Sequence, residues 1–459
     1  MGKGKLSQHT RFSIVPFHEL FNWSVQYLTN TKIGFTTAYP MVRIGDFLKR
    51  NRTSIVIKDK EEYVRVKIKT HNGGVERREK KNVLGKDIGT KKQYVIYEGQ
   101  FIISKIDARN GAMGIVPKEL EGAIVTQDFL PYDIDRDKIM PQYLVLVSTT
   151  KPFLDFCQSC SSGTTNRQRI DEEELLDIKI PVPTLKEQEN IVSIYYKLIE
   201  EAKKSEKKAE EVDSEIKEWF TANLGISENK TKRDNSILQF IKYRNLIKWS
   251  IEELQRYDKF SFDQAKYEVK RIGDVILSFE GGKTPSTERK DYWGEDVYWV
   301  SAKDMKELYL LNIQDKLTQK GVNESKLRIY PKWTILGVFR SGILRHSFPI
   351  CVTAYPVTIN QDLKAFSLDG KKTKKLYFMF YLNLLQDIVL NVAMKKGVTV
   401  ESINTDAFMN IPFVCPPMIK QSEIVRYIYK KKKLIYQKRE EAKRLRIQAI
   451  NDFETKIFM

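Results

Sequence analysis

The side chains able to do chemistry in this 459-residue chain are few and scattered. Its four histidines (His9, His18, His71, His346) show no ligand spacing, and no His-Glu-x-x-His run occurs. Cys157 and Cys160 form a lone Cys-x-x-Cys, with Cys351 and Cys415 far along the chain. Four thiols cannot staple a chain of this length, so they read as buried thiols of a reducing compartment, not as a zinc site. GGKT (281–284) ends like a phosphate-binding loop, but Leu277 stands where the leading Gly belongs and Pro285 interrupts the helix such a loop needs. No catalytic set is found, nor any helicase or nuclease set. What remains is contact chemistry: Lys and Arg beside Ser, Thr and Asn in Gly-containing loops, the residue types that grip phosphates and reach base edges.

In the first half of the chain, KIDARNG (105–111) offers Lys105, Arg109 and Asn110, and SSGTTNRQR (161–169) offers Thr164, Thr165, Asn166 and Arg167. In the second half the candidates are Lys283, Thr284 and Ser286, then Lys303, then Arg340, Ser341 and Arg345, and last Lys395, Lys396 and Thr399. Gly111, Gly163, Gly282, Gly342 and Gly397 would permit tight turns and close backbone approach beside them. The plain alternative for any one of these residues is a solvated surface, and only part of the set is expected to touch nucleic acid. Trp293 and Trp299 read as core packing before base stacking. The run Lys430–Lys433 reads as a phosphate grip, a solvated face or a contact for an acidic partner.

Composition points the same way. The chain carries 78 Lys+Arg against 59 Asp+Glu, a net charge of +19, and the simplest anionic partner is nucleic acid. Hydrophobic residues at 41% and charged ones at 30% exclude a disordered or collagen-like chain, and the length suggests two to four domains. No run approaches the roughly 20 apolar residues of a membrane span. The nearest, YFMFYLNLLQDIVLNV (377–392), is interrupted by Asn383, Gln386, Asp387 and Asn391 and predicts one packed helix. The start, MGKGKLSQHT, has no apolar signal segment, so a cytoplasmic protein is expected.

The elements that must position these loops come in two copies. LFNWSV (20–25) is answered by LIKWSI (246–251), RIGD (43–46) by RIGD (271–274), Gln127-Asp128 by Gln361-Asp362 and Gly163 by Gly397. In IPVPTLKEQENIV (180–192), Pro183, Gln188, Ile191 and Val192 are answered by Pro416, Gln421, Ile424 and Val425. The common order and nearly constant offset imply a tandem duplication. NIPF (410–413) is one proline short of the Asn-Pro-Pro-Phe loop of adenine methyltransferases, and its repeat partner DIKIPVP (177–183) marks it as a lead-in to a long helix. The domains expected are an N-terminal segment (1–40), a first globular domain (41–183), a first long helix (184–224), a linker (225–240), a second N-terminal segment (241–267), a second globular domain (268–415) and a second long helix (416–459).

The first long helix carries Ile191, Tyr195, Leu198, Ala202, Ser205, Ala209, Val212, Ile216 and Trp219, alternating steps of four and three that make a coiled-coil seam. The matching positions are Ile424, Ile428, Lys431, Ile435, Lys438, Ala442, Leu445, Ala449 and Asp452, six of them apolar. Two stripes in one register predict that the helices pair. Pseudo-two-fold packing of a duplicated unit would make the pair antiparallel and put the two globular blocks at opposite ends. A seam of this length, roughly 43 Å, somewhat exceeds one turn of B-DNA, about 34 Å. The alternative is two independent helices, each packed on its own block.

GGKTPSTERKDYWGEDVYWVSAKDM (281–305), and IPVPTLKEQENIV (180–192) with the Lys/Glu helix behind it, resemble the specificity subunits of type I restriction-modification systems. The likeness covers nearly the whole chain and departs from the usual Glu-Gln pair at Lys420. It implies an α+β fold of two target-recognition domains separated by two long helices in an antiparallel coiled coil. It also implies a non-catalytic subunit that recognises a bipartite, asymmetric DNA site. The partners implied are double-stranded DNA, two modification (methyltransferase) subunits and two restriction (translocase-nuclease) subunits. S-adenosylmethionine, ATP and magnesium would be bound by those subunits and no cofactor by this chain. A specificity subunit of a fused restriction-methyltransferase and a protein-binding scaffold remain the alternatives.

Overall fold

A computed structural model of the chain describes residues 37–70, 74–159, 161–162, 169–228, 260–395, 397 and 400–458. The LFNWSV and LIKWSI pair, most of the expected N-terminal segments and most of the linker lie outside the described residues. The chain divides into two compact units. One joins the residues up to Ser205 with those from Glu440 onward, and the other is Glu206–Arg439.

In the first unit the central antiparallel sheet runs Met113–Ile115, Phe101–Ser104, Phe129–Ile134, Leu48–Arg50. Phe101–Ser104 is buried at every position, as a strand covered on both faces must be. The apolar run 94–104 is broken by the turn at Gly99, so its first part, in strand Lys92–Val95, belongs to a second sheet with Ile124–Val125 and Ser54–Val56. Helices α1 (Pro141–Ser148) and α2 (Lys151–Ser159) pack Tyr143, Leu144, Val147 and Phe153 against Phe101, Ile103, Leu130 and Tyr132. A short hairpin (Ser161–Ser162 with Arg169–Ile170) leads to α3 (Glu172–Leu176), capped by the Asp171 carboxylate, which accepts the amides of Glu173 and Glu174. Strand Lys179–Pro181 then pairs with Met41–Arg43 and feeds α4 (Leu185–Leu224).

The second unit repeats this order. Its sheet runs Ile276–Gly281, Leu363–Leu368, Ile335–Val338, Ile350–Thr353, with Tyr309–Leu310 added in parallel at the end. A three-stranded sheet joins Asp315–Leu317, Trp293–Val300 and Val357–Ile359 beside α5 (Gln319–Glu324). The single helix expected over 377–392 is two helices, α6 (Lys375–Leu384) and α7 (Gln386–Ala393), meeting at 69°. Leu385, almost fully buried, leaves helical geometry, and the Gln386 side chain accepts the Phe348 amide at 2.9 Å, which ties the bend to the sheet. Among the described residues no single helix is long and apolar enough to cross a membrane. Hairpin Met394–Lys395 with Ser402–Ile403 precedes α8 (Thr405–Met409). Strand Pro412–Val414 pairs with Val269–Arg271 and feeds α9 (Met418–Phe458).

The recurring motifs do the same work in both units. A side chain on Gly45 would meet the Leu176 carbonyl at 3.0 Å, and one on Gly273 would meet that of Met409 at 3.2 Å. The glycine of each Arg-Ile-Gly-Asp therefore lets the chain pass over the short helix before the lead-in strand. Tyr143 donates to the Pro181 carbonyl at 2.8 Å and Tyr377 to that of Val414 at 2.7 Å. Gln188 and Gln421 are fully buried in the first turn of each long helix. Gln188 accepts the Met140 amide (2.8 Å) and donates to Pro183 (2.8 Å). Gln421 accepts the Lys374 amide (2.8 Å) and donates to the carbonyls of Pro416 (2.9 Å) and Lys372 (3.0 Å).

Within each unit the two long helices run antiparallel. In the first, Tyr195 meets Phe453 (ring centroids 6.1 Å apart), and Leu198 and Ala202 cluster with Ala442 and Leu445. In the second, Trp219 stacks on Tyr427 at 3.7 Å, Glu215 pairs with Lys431 at 2.8 Å and Asp213 with Lys432 at 2.7 Å. Two of the four lysines at 430–433 are thus held by α4 carboxylates. Ile191, Ala202, Ala209, Val212, Ile216, Ile424, Ile428, Ile435, Ala442, Leu445 and Ala449 are buried, and Tyr195 and Leu198 are half-buried. The seam departs from alternating steps at both helix ends. Phe220 and Leu224, not Trp219, enter the core of the second unit, and Phe453 and Ile457, not Asp452, that of the first. Steps of four there keep the stripe facing the globular block, because a straight helix turns every 3.6 residues and drifts away from a 3.5 repeat.

Two substitutions test this account. Gln421→Leu leaves the Lys374 amide and the buried Pro416 carbonyl without their partner and is expected to cost about 3 kcal/mol, read from the urea midpoint. Ala442→Leu forces a branched side chain between the close helix backbones and is expected to cost about 1–3 kcal/mol in the same measurement.

Candidate nucleic-acid interface

In the first unit the candidate loop leaves the end of the buried strand Phe101–Ser104. The Lys105 amide donates to the Asp128 carbonyl (2.7 Å), and the Lys105 carbonyl accepts the Ile170 amide (2.9 Å). A single helical turn over Ala108–Asn110 follows and is closed by Gly111 at φ 73°, the left-handed geometry that favours glycine. Lys105 and Arg109 are half-buried, and Asn110 is exposed and donates to Asp107 at 3.2 Å. Thr164, Thr165, Asn166 and Arg167 lie outside the described residues. At the hairpin's return, Arg169 grips Asp128 through Nε (2.9 Å) and Nη2 (3.4 Å), which holds its guanidinium firmly charged.

In the second unit four loops are tied into one cluster. The Phe339 amide donates to the Asp362 carbonyl (2.8 Å), and the Phe339 carbonyl accepts the Ile403 amide (2.8 Å), repeating the Lys105 pattern. Thr284 donates to the Gln361 side chain at 2.6 Å, joining the 281–286 loop to the 360–362 turn. Arg340 bridges to Ser402, which also pairs with Lys395, and the Ser341 amide donates to the Glu401 carbonyl (3.0 Å). The structure therefore gathers Lys283, Thr284, Arg340, Ser341, Arg345 and Lys395. Lys303 stands in the turn after strand Trp293–Val300 and pairs with Asp315 at 2.8 Å, and Ser286 is exposed farther along the first loop. Lys396 and Thr399 lie outside the described residues.

Both tryptophans pack as core and also serve this cluster. Trp293 and Trp299 meet edge to face (5.2 Å, 84°) beside Leu317 and Val322. Their indole N–H groups donate to the carbonyls of Ser286 (3.1 Å) and Lys283 (3.2 Å), so they pin the backbone of the loop that carries the candidate contacts. Gly282 lies so close to Ile359 that a side chain would meet its carbonyl at 1.7 Å, whereas nothing crowds Gly342, where any residue would fit.

Residue types alone did not single out Arg169, Asp128, Gln361 or Glu401. The repeated Gln-Asp was visible as a mark of duplication, but its role in tying loops together depends on pairings distant in sequence. Glu401 has no repeat partner of its own kind. The cluster can hold an extended anion against fixed donors. Among the described residues no group of three or more His, Cys, Asp or Glu is placed to hold a metal ion.

The sequence matches the type I restriction modification DNA specificity domain twice, over 38–214 and 264–444. The chain belongs to this family. It is 30% identical over 162 residues to the Type I restriction enzyme MjaIX specificity subunit of Methanocaldococcus jannaschii, covering 34% of this chain and 36% of that subunit. It is 23% identical over 396 residues to the HindI specificity subunit of Haemophilus influenzae, covering 76% of this chain and 82% of that one. A solved chain from work on complex assembly and conformational transition of the type I R-M system superposes with a TM-score of 0.54 at 16% identity, covering 91% of this chain and 97% of that one. At that identity the likeness speaks to fold alone.

Trp299→Phe keeps the packed ring and removes the donor to Lys283. The expected result is a loss of about 1 kcal/mol in unfolding free energy together with a loss of DNA affinity, read by melting and by a binding titration on the intact chain.

Proposed function

We propose that this chain is the DNA-specificity subunit of a cytoplasmic type I restriction-modification complex and that it has no catalytic activity of its own. The observation that carries this reading is the doubled specificity domain, each copy presenting a Lys/Arg-bearing loop cluster anchored on a buried sheet. Phosphate contacts supply affinity and register, and base-edge contacts from fixed loops supply the code. Because the two loop clusters differ in almost every side chain, the site read is bipartite and asymmetric, one half for each unit.

The chemistry belongs to partners. Two modification subunits would methylate adenine with S-adenosylmethionine, and two restriction subunits would use ATP and magnesium to translocate and cut. This chain's part is to bind and orient DNA. Several of its exposed lysines and arginines, Arg169, Lys303 and Arg345 among them, are held by carboxylates, which favours defined contacts over a diffuse positive surface. Its net charge of +19 adds long-range attraction for the duplex.

The deciding experiment is a map of methylated adenines in the host genome with and without this gene. One two-part motif is expected to vanish with the gene, and methylation unchanged by its loss overturns the reading. Binding of the assembled complex to a duplex carrying that motif is expected to weaken on the order of a thousandfold or more between 50 and 200 mM salt, as release of counterions from six or more phosphates requires.

A further inference from the structure

Among the basic side chains of the second cluster, Arg345 is held in an unusual way. Its Nε donates to Glu401 at 2.6 Å, while the guanidinium remains half exposed at the end of the turn Gly342–Arg345. Glu401 is only 5% exposed, and its second carboxylate oxygen has no hydrogen-bond partner. The Arg345 guanidinium holds that carboxyl below the usual carboxylate range. A buried carboxylate with one oxygen unsatisfied is a poor device for stability, since its desolvation is only partly offset by a single partner. It is an effective device for aiming an arginine.

The geometry of the pair says where the arginine is aimed. With Nε–H occupied, the donors left are those on Nη1 and Nη2, and neither nitrogen bonds any described residue. Two parallel N–H groups presented end-on match the O6 and N7 acceptors of guanine in the major groove. A phosphate contact tolerates a mobile Lys or Arg because charge is read at any angle, whereas base discrimination needs a fork fixed in orientation. Lys283 and Lys395 of the same cluster are point charges on flexible stems. Arg169 of the first unit spends Nε and Nη2 together on Asp128, so its end-on fork is not open in the same way.

We propose that Arg345 reads a guanine in the half-site of the second unit, and that Glu401 is the positioning residue that fixes its fork. This rests on the DNA-specificity reading above. The test is selection from a random duplex DNA pool by the full-length chain co-expressed with its methyltransferase partner, using wild type, R345K and E401A. Wild type is expected to recover a motif with one G·C pair in one half. Preference at that pair should fall about tenfold or more in R345K and about threefold or more in E401A, with every other position, including the whole other half-site, unchanged. Unchanged preference, or a uniform weakening at all positions, overturns the proposal and leaves the specificity reading standing. Should R345K recover no DNA, E401A decides by the same criterion, and should E401A fail to fold, R345K decides. A wild-type chain that selects no motif removes the specificity reading and this proposal with it.

Discussion

Each unit depends on one contact, the docking of the last turns of one long helix on the globular block that launches the other. Phe220 lies against Tyr377 and Tyr381 at 6.2 and 6.0 Å, and Phe453 against Tyr143 and Tyr195 at 6.3 and 6.1 Å. Tyr143 and Tyr377 spend their hydroxyls on the lead-in strand, so ring packing and strand position are fixed by the same side chain. The buried glutamine at the start of each helix completes the hold. An amide donor and acceptor in a dry site must be met by particular backbone groups, which a purely apolar contact would not demand.

This constraint separates what the two copies share from what they do not. The shared residues are those whose freedom is removed by burial or backbone crowding: the Gly of Arg-Ile-Gly-Asp, the tyrosine, the glutamine and the aspartate whose carbonyl receives the loop amide. The differing residues include the exposed loop side chains and also buried ones, such as Trp299 and Phe339 of the second unit. The small hairpins Val66–Ile68 with Val75–Arg77 and Glu62–Tyr63 with Val83–Leu84 occur in the first unit. The second unit adds the parallel strand Tyr309–Leu310 and the tryptophan pair. Even the ion pair at the loops changes sense. In the first unit the arginine sits on the hairpin and the carboxylate on the 126–128 turn, and in the second Glu401 sits before the hairpin's return strand and Arg345 on the facing turn. A frame held by packing leaves exposed loops free to carry unlike contacts on like supports.

The duplication, the lead-in to each long helix and the apolar stripe were legible in the sequence because each is written as local spacing. Burial on one helix face repeats every three or four residues, and Ile424, Ile428, Ile435 and Ala442 display it without any knowledge of what covers them. Two local expectations failed for nonlocal reasons. The helix over 377–392 breaks because Gln386 is claimed by the amide of Phe348. The seam leaves its alternating register at Phe220 and Phe453 because there each also packs on tyrosines of a short helix of the globular block, and not on the other long helix alone.

The loop cluster belongs wholly to tertiary structure. Lys283 is placed by an indole sixteen residues on, Thr284 by Gln361 and Arg345 by Glu401. None of these pairings follows a helical or strand period, so no spacing announces them. The amino-acid order determined that two similar frames form and that positive charge gathers on them. Only folding decided which side chains meet at the exposed turns, because those meetings depend on where distant strands end, and strand ends are set by the packing of the whole sheet.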